Sequence, residues 1–175
     1  MKIKIDLALS KGMTVIELLT VVFITVTIAA IAIPNFIQWR ESINYRSTAR
    51  DLSNVLREAR SRTISYNLQH RVELSSALSP TSFRLMIGNQ AANTPSTGWT
   101  PATGMGNWTT LPAPVQITVA DIGANPPNIT FNPNGTANFS SNLVSSTTIS
   151  VLDNTGVTRF AVIVANTGRI SIGIQ

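Results

Sequence analysis

Hydrophobic and polar positions divide the chain into three regions with different periods. From Met13 to Ile33 nearly every position is apolar, and Glu17 is the only charged residue in this block. As a helix the block would span about 31 Å at 1.5 Å per residue, which matches the hydrocarbon core of a bilayer. We therefore interpret residues 13–40 as a membrane-spanning half-helix, preceded by a short basic segment at residues 1–12.

The helical pattern continues into residues 41–71, where it becomes amphipathic. Apolar or small residues recur at spacings of three and four, and arginines lie on nearly the opposite side of a helical wheel. The apolar stripe consists of Ala49, Leu52, Val55, Leu56, Ala59 and Thr63, and the arginine face consists of Arg46, Arg50, Arg57 and Arg60. One helix from about Thr14 to Tyr66 would be about 80 Å long, too long for a compact domain of this size. We expect its first half to protrude.

From Val72 onward the period changes to that of short strands. Runs of β-branched residues bounded by turn residues predict strands at 71–74, 82–87, 115–119, 148–152, 159–165 and 169–174. Hairpin turns are predicted at NPNG (132–135), DNTG (153–156) and NTG (166–168). The predicted fold class is α+β, a lollipop with a long protruding N-terminal helix packed on an antiparallel β-sheet domain at 72–175.

A segment rich in Gly, Pro, Thr and Asn at 88–114 interrupts the strand pattern and is predicted to be a long loop. It contains Trp99 and Trp108. The favoured interpretation is that both indoles cap the core of the sheet. The alternative is that they form a surface for a partner.

Charge and composition exclude several classes of protein. The chain has no cysteine, which rules out a disulfide framework and any thiolate metal site. The net charge of +5 is concentrated in the first 71 residues, and the remainder is nearly neutral and rich in Ser, Thr, Asn and Gly. This distribution is more typical of a secreted or periplasmic β-rich surface than of a nucleic-acid groove.

No set of residues in the sequence predicts an enzyme, a cofactor site or a metal site. His70 is the only histidine, and it has no second imidazole or thiolate to complete a metal site. Asp121 and Asp153 lie in predicted loops without a partner carboxylate, and Ser140 and Ser141 lack the setting of a catalytic nucleophile. We expect no catalytic residues.

Glu17 is the feature that separates three interpretations of the N-terminus. A cleavable secretory signal would place the cut near Ala30-Ile31-Ala32, and an uncleaved signal anchor would keep the whole block. Neither interpretation gives a reason for a carboxylate inside the apolar run. If the chain is cut between Gly12 and Met13, however, a new α-amino group appears four residues before Glu17.

Such a cut would give Glu17 a counter-ion. An unpaired charge in apolar surroundings costs several kcal/mol. The Met13 amine of an entering subunit could pair with the Glu17 of a subunit already packed, and only in the correct axial register. Glu17 would then set the register of a helical bundle. Cleavage would control this pairing, because the uncut chain has no amine at Met13.

These N-terminal residues resemble the class III leader of type IV pilins and type II secretion pseudopilins. The match consists of Lys11 and Gly12 before the cut, Met13, Glu17 at the fifth mature position, and an otherwise uncharged block. The resemblance implies cleavage after Gly12 by the prepilin peptidase and N-methylation of Met13, although the family usually has Phe at this position. Pro34 falls where many type IV pilins have a helix-bending proline, and it lacks the amide that would bond Ala30. The alternative is that Pro34 only ends the membrane span.

Further segments are similar to the GspH/FimT family. They are residues 49–52, 57–64, 129–135 and 166–170, together with Asn67 and Val72. The resemblance implies a minor pilin that helps to initiate or cap a type IV pilus, or alternatively the minor pseudopilin GspH of a type II secretion system. The implied location is the bacterial inner membrane, with one membrane span and the C-terminal domain in the periplasm, and later the pilus or pseudopilus. The implied partners are other pilins or pseudopilins through the N-terminal helix, the prepilin peptidase, the inner-membrane assembly platform, and lipid before assembly.

DNA binding is an alternative function of a different class, because some FimT-type minor pilins take part in DNA uptake. In those members the contacts lie in a C-terminal tail with several basic residues. This tail has only Arg169, with Arg159 one strand earlier. The arginine face is therefore interpreted as a solvated or inter-subunit surface, and DNA is the less favoured partner.

Overall fold

The computed structural model describes residues 13–75, 82–91, 94–119, 127–139, 145–153 and 155–174, apart from the side chain of Pro34. Its first element is helix α1 (Val15–Tyr66), which confirms the helix predicted from about Thr14 to Tyr66. The helix is unbroken across Pro34 and is followed by Asn67 with a φ of 53°. Asparagine tolerates this left-handed conformation, which is common just after the end of a helix.

Ten strands in the described ranges follow α1. They are β1 (His70–Leu74), β2 (Ser82–Gly88), β3 (Trp99–Pro101), β4 (Thr109–Thr110), β5 (Gln116–Val119), β6 (Asn128–Phe131), β7 (Ala137–Phe139), β8 (Ser146–Leu152), β9 (Thr158–Ala165) and β10 (Ile170–Ile174). They form a six-stranded sheet in the order β3-β2-β1-β6-β7, in which β4 also pairs with β2, and a four-stranded sheet in the order β10-β9-β8-β5. Every pairing is antiparallel, so the predicted α+β class is confirmed.

The second half of α1 and both sheets share one hydrophobic core. The predicted apolar stripe of α1 is buried along its whole length, from Ala49 to Thr63. Its leucines belong to the same cluster as Leu85 and Phe131 of the six-stranded sheet and Ile149 of the four-stranded sheet. Burying a side chain of this size contributes about 1.5–3 kcal/mol, so this stripe is a large part of what holds the helix on the sheets.

The three predicted hairpin turns are all present. Gly135 lies between β6 and β7, Gly156 between β8 and β9, and Gly168 between β9 and β10, with φ values of 83°, 81° and 75°. At Gly168 a Cβ atom would collide with the carbonyl oxygen of Gly135. This turn therefore requires glycine for space as well as for backbone conformation.

The segment at 88–114 differs from the predicted loop because it contains β3 and β4. The favoured interpretation, that its two tryptophans cap the core, is also wrong. The guanidinium carbon of Arg71 lies 4.1 Å from the centre of the Trp99 ring, and that of Arg84 lies 4.4 Å from the centre of the Trp108 ring. Arg71 and Arg84 alternate along β1 and β2 with residues of the core, so both indoles lie on the face of the sheet away from it.

The chain divides into two compact units after Arg40, within α1. In the first unit the described side chains from Met13 to Arg40 are exposed, except for the partly exposed Ala29. Phe23, for example, is 71% exposed. In the second unit Arg46, Arg50 and Arg57 are exposed, as the predicted arginine face requires.

Candidate functional site

The start of α1 holds the carboxylate of Glu17 in a reciprocal set of hydrogen bonds. The backbone N–H of Thr14 donates to Glu17 Oε2 at 2.8 Å, and the Thr14 hydroxyl donates to the same oxygen at 2.9 Å. In return, the backbone N–H of Glu17 lies 3.3 Å from Thr14 Oγ1. This arrangement is a capping box, in which two orphan amides of a helix start are satisfied by two side chains.

The role of Thr14 as a helix cap was not predicted from the sequence. The signal was present, because Thr-x-x-Glu before an apolar run is the sequence signature of a capping box. The structural consequence is that the Glu17 carboxylate points back toward the beginning of the helix. Its Oε1 atom accepts no hydrogen bond from any described residue.

The part of α1 that follows Glu17 is apolar, and its threonine hydroxyls are hydrogen-bonded within the helix. By length and composition, α1 is able to cross a membrane. The hydroxyls of Thr20, Thr25 and Thr27 each donate to the carbonyl oxygen four residues earlier, at 2.8, 2.7 and 2.8 Å. These polar atoms are therefore satisfied within the helix, as an apolar solvent demands.

The other residues of the predicted processing site are only partly visible. Lys11 and Gly12 lie outside the described residues, and Met13 is the first residue that the structure describes. Pro34 lies within the unbroken helix, so it does not end α1. A bend at Pro34 stays a prediction.

The two arginines considered for DNA contact in the less favoured alternative are not brought together. Arg159 lies near the start of β9, whereas the carbonyl oxygen of Arg169 accepts from the N–H of Ala165 at the end of β9, at 2.9 Å. About six residues of extended strand separate the two positions, or about 20 Å. Arg159 is also paired with Asp153, whose Oδ2 lies 2.7 Å from its Nη2.

Asp153 and His70 are held by hydrogen bonds within the fold. The hydroxyl and N–H of Thr155, the N–H of Val157 and the guanidinium of Arg159 all donate to Asp153, and they hold the pKa of that carboxyl well below its usual range. Burial lowers the pKa of His70, whose Nδ1 lies 3.0 Å from the carbonyl oxygen of Leu68. Within the described ranges, no group of three or more His, Cys, Asp or Glu residues is arranged to hold a metal ion.

Comparison with known proteins gives one family and a set of similar folds. The family model described as type II transport protein GspH matches residues 48–168. The minor pseudopilin EpsH from the type 2 secretion system of Vibrio cholerae has a TM-score of 0.56 at 15% identity, over 75% of this chain and 97% of that chain. GspH of E. coli has a TM-score of 0.54 at 14% identity, over 77% of this chain and 90% of that chain. The type IV minor pilin FimU of Pseudomonas aeruginosa has a TM-score of 0.52 at 14% identity, over 77% of this chain and 92% of that chain. No curated protein matches the chain at a significant level.

Proposed function

Because the chain belongs to the GspH family of type II transport proteins, we propose that it is cut after Gly12 and enters a filament through the apolar half of α1. Proteins of this family are structural subunits rather than enzymes, and this chain is a minor pilin or pseudopilin. The observation that supports the proposed cut and incorporation is the capping box between Thr14 and Glu17.

The proposed cut would create a cation next to the oriented carboxylate. The new α-amino group of Met13 would lie one residue before Thr14, whose own N–H is 2.8 Å from Glu17 Oε2. A carboxylate has two oxygens and can accept several hydrogen bonds. Because Thr14 uses only Oε2, the Oε1 atom is available to an amine without loss of the cap.

Pairing between subunits would explain why this acid lies in an apolar helix. The side chains that follow Glu17 are exposed and apolar, so each subunit needs lipid or neighbouring helices around this part of α1. Moving from lipid into a bundle of helices gives little hydrophobic driving force, since both surroundings are apolar. The pairing of Glu17 with the Met13 amine of a neighbouring subunit would supply direction and register.

The long apolar part of α1 supports the proposed location. The chain is anchored by α1 in the bacterial inner membrane, with the β-domain in the periplasm, until the assembly platform transfers it to the filament. The prepilin peptidase would remove residues 1–12 and N-methylate Met13. We propose a position at the start or tip of the filament, as the family resemblance implies for a minor subunit.

Two systems fit this proposal, a type IV pilus and a type II secretion system. The description of the family favours secretion, whereas the position of Pro34 favours a pilus. Deleting the gene and measuring both pilus number and export of secreted enzymes would separate the two. Loss of pili with normal export would assign the chain to a pilus, and the reverse result would assign it to secretion.

The cut itself is tested by the intact mass of the protein extracted from membranes. We expect a mature chain that begins at Met13 and carries one added methyl group. A Gly12 variant with a larger side chain, such as Gly12→Val, is the matched control and should keep residues 1–12. A wild-type terminus near Ile33, or an uncut wild-type chain, would disprove the proposed processing.

Two substitutions at Glu17 separate its charge from its capping role. Glu17→Gln keeps an acceptor for Thr14, because Gln also serves in a capping box, but it removes the charge. Glu17→Ala removes both. We expect leader removal to continue in both variants and incorporation into filaments to fall in both, as measured by the fraction of the protein that sediments with sheared filaments. Normal incorporation of Glu17→Gln would show that charge pairing does not set the register.

A further inference from the structure

A cleft lies between the second half of α1 and the turn that joins β9 to β10. Its volume is about 560 Å³, and Arg57, Arg60 and Ile64 of α1 line one side. Arg169 and Ile170 line the other side, at the start of β10. We call this feature the arginine cleft. It combines cationic and apolar groups in one concave surface within the second unit of the chain.

The guanidinium groups of the arginine cleft have no counter-ion among the described residues. Arg62, Arg71, Arg84 and Arg159 are each paired with a carboxylate. In contrast, Arg57 and Arg169 have no such pair, and Arg60 uses its Nε to donate to the carbonyl oxygen of Gly135 at 3.1 Å. The cleft therefore presents a concentrated positive charge that this chain does not neutralise.

A second copy of the chain is a poor source of the missing negative charge. In the part of the second unit that the structure describes, the only carboxylates without an ion pair are those of Glu41 and Asp51. The unpaired arginines outnumber them, because Arg46 and Arg50 extend the cationic surface along α1. Charge complementarity therefore points to a different chain with an acidic surface.

The apolar part of the arginine cleft distinguishes a peptide from a phosphodiester backbone. Ile64 is exposed, and Ile170 begins an edge strand whose free side has no strand partner among the described residues. Ile172 and Ile174 follow on the same face of β10, and Ile174 is 83% exposed. An extended peptide can place apolar side chains here and pair with the edge of β10, as in strand addition. A nucleic-acid backbone offers charge but no matching apolar groups.

We propose that the arginine cleft and the free edge of β10 bind an extended segment of alternating acidic and apolar residues, carried by a different subunit of the same filament. This inference rests on the proposed function, since it identifies the chemistry of a neighbour in the assembly. The acidic side chains would contact Arg57 and Arg169, and the apolar side chains would cover Ile170 and the isoleucines that follow it.

The test uses the detergent-solubilised full chain and labelled probes of defined chemistry. The first probe is a short peptide of alternating Glu and Val, the second an otherwise identical peptide of Lys and Val, and the third a short DNA duplex. Binding is measured by fluorescence anisotropy at low and at physiological ionic strength. The variants are Arg57→Gln and Arg169→Gln, and Arg40→Gln is a control that removes the same charge outside the cleft.

We expect the Glu–Val peptide to bind and the Lys–Val peptide to fail. Arg57→Gln and Arg169→Gln should each weaken binding about two- to five-fold, which corresponds to partly exposed ion pairs, and Arg40→Gln should have no effect. Absence of binding by the Glu–Val peptide would overturn the inference. Tighter, Arg169-dependent binding of the duplex would also overturn it and would assign the cleft to a phosphodiester.

The result is separable from the proposed function. Filament incorporation of Glu17→Gln is measured in cells alongside the double variant Arg57→Gln/Arg169→Gln. If the Glu17 variant fails to incorporate while the double arginine variant assembles normally and no peptide binds, the inference fails and the proposed function stands. If the wild-type chain is neither cut after Gly12 nor found in filaments, the proposed function fails, whatever the peptide experiment shows. Normal assembly of Glu17→Gln would refute only the charge pairing.

Discussion

Replacing Glu73 by glutamine tests whether an ion cluster on the outer face of the six-stranded sheet stabilises the fold. The side chain of Glu73 is only 3% exposed and lies between Arg71 and Arg84. Its Oε2 atom is 2.8 Å from Nε and 2.7 Å from Nη2 of Arg84, and its Oε1 atom is ion-paired with Arg71. The indole rings of Trp99 and Trp108 lie against the two guanidinium groups.

The expected loss of stability follows from this burial. Removing one partner of a buried ion pair costs about 3–5 kcal/mol, because the remaining charge is left without compensation. The side chains of Arg71 and Arg84 keep 22% and 27% exposure, so solvent screens part of the cost. We expect Glu73→Gln to lower the free energy of unfolding by about 2–3 kcal/mol. For a chain of this size this corresponds to a fall in Tm of about 4–12 °C.

The same chemical change at Glu58 provides the control. Glu58 pairs with Arg62 at 2.7 Å on the surface of α1, and its side chain is 44% exposed. Glu58→Gln should cost about 0.5 kcal/mol or less, as is usual for exposed pairs one helical turn apart. Both variants are compared with the wild-type full chain in detergent by circular dichroism during urea and thermal unfolding. Equal losses for the two variants would refute the stabilising role of the Glu73 cluster.

Three further predictions concern α1 and the turn between β8 and β9. Thr14→Ala should destabilise the start of α1 by about 1 kcal/mol, and Thr14→Ser should restore it, as measured by hydrogen exchange of the first-turn amides; equal exchange in the two variants would contradict the capping role. Leu52→Ala should cost about 2–5 kcal/mol of unfolding free energy because it leaves a cavity in the shared core; a loss below that of an exposed control, Asn54→Ala, would contradict its burial. The depressed pKa of Asp153 should stabilise the fold fully above its ordinary value of about 3.9 and progressively less as the pH falls below it, whereas Asp153→Asn should abolish this part of the pH dependence of urea unfolding.

The helix and the hairpins could be predicted because their signals are local. Spacings of three and four residues identified the buried stripe from Ala49 to Thr63, and all of these positions are buried in the structure. The turns at Gly135, Gly156 and Gly168 were predictable because positive φ strongly favours glycine. In each case the residues that carry the signal are adjacent in the sequence or one helical turn apart.

The division into two sheets could not be predicted because it depends on distant pairings. Strand β1 pairs with β6, and β5 pairs with β8, although long segments of chain separate the two strands of each pair. Strands β3 and β4 escaped prediction for a different reason, since neither has the alternating apolar pattern of a half-buried strand. Near these two strands, Trp99 and Trp108 contact Arg71 and Arg84 of β1 and β2. The spacing of residues along the chain does not reveal such contacts.

The capping box changes the physical account of how Glu17 tolerates apolar surroundings. Before assembly, the N–H and hydroxyl of Thr14 solvate one carboxylate oxygen, which lowers the cost of holding the charge near lipid. The cap does not remove that charge, so in the proposed filament an amine from a neighbouring subunit would still gain a strong interaction with Oε1. A subunit out of register would leave both the amine and the carboxylate unpaired among apolar side chains. If Glu17 sets the register as proposed, the cap would lower the cost of holding the single subunit in the membrane, and the remaining charge would favour the correctly registered filament.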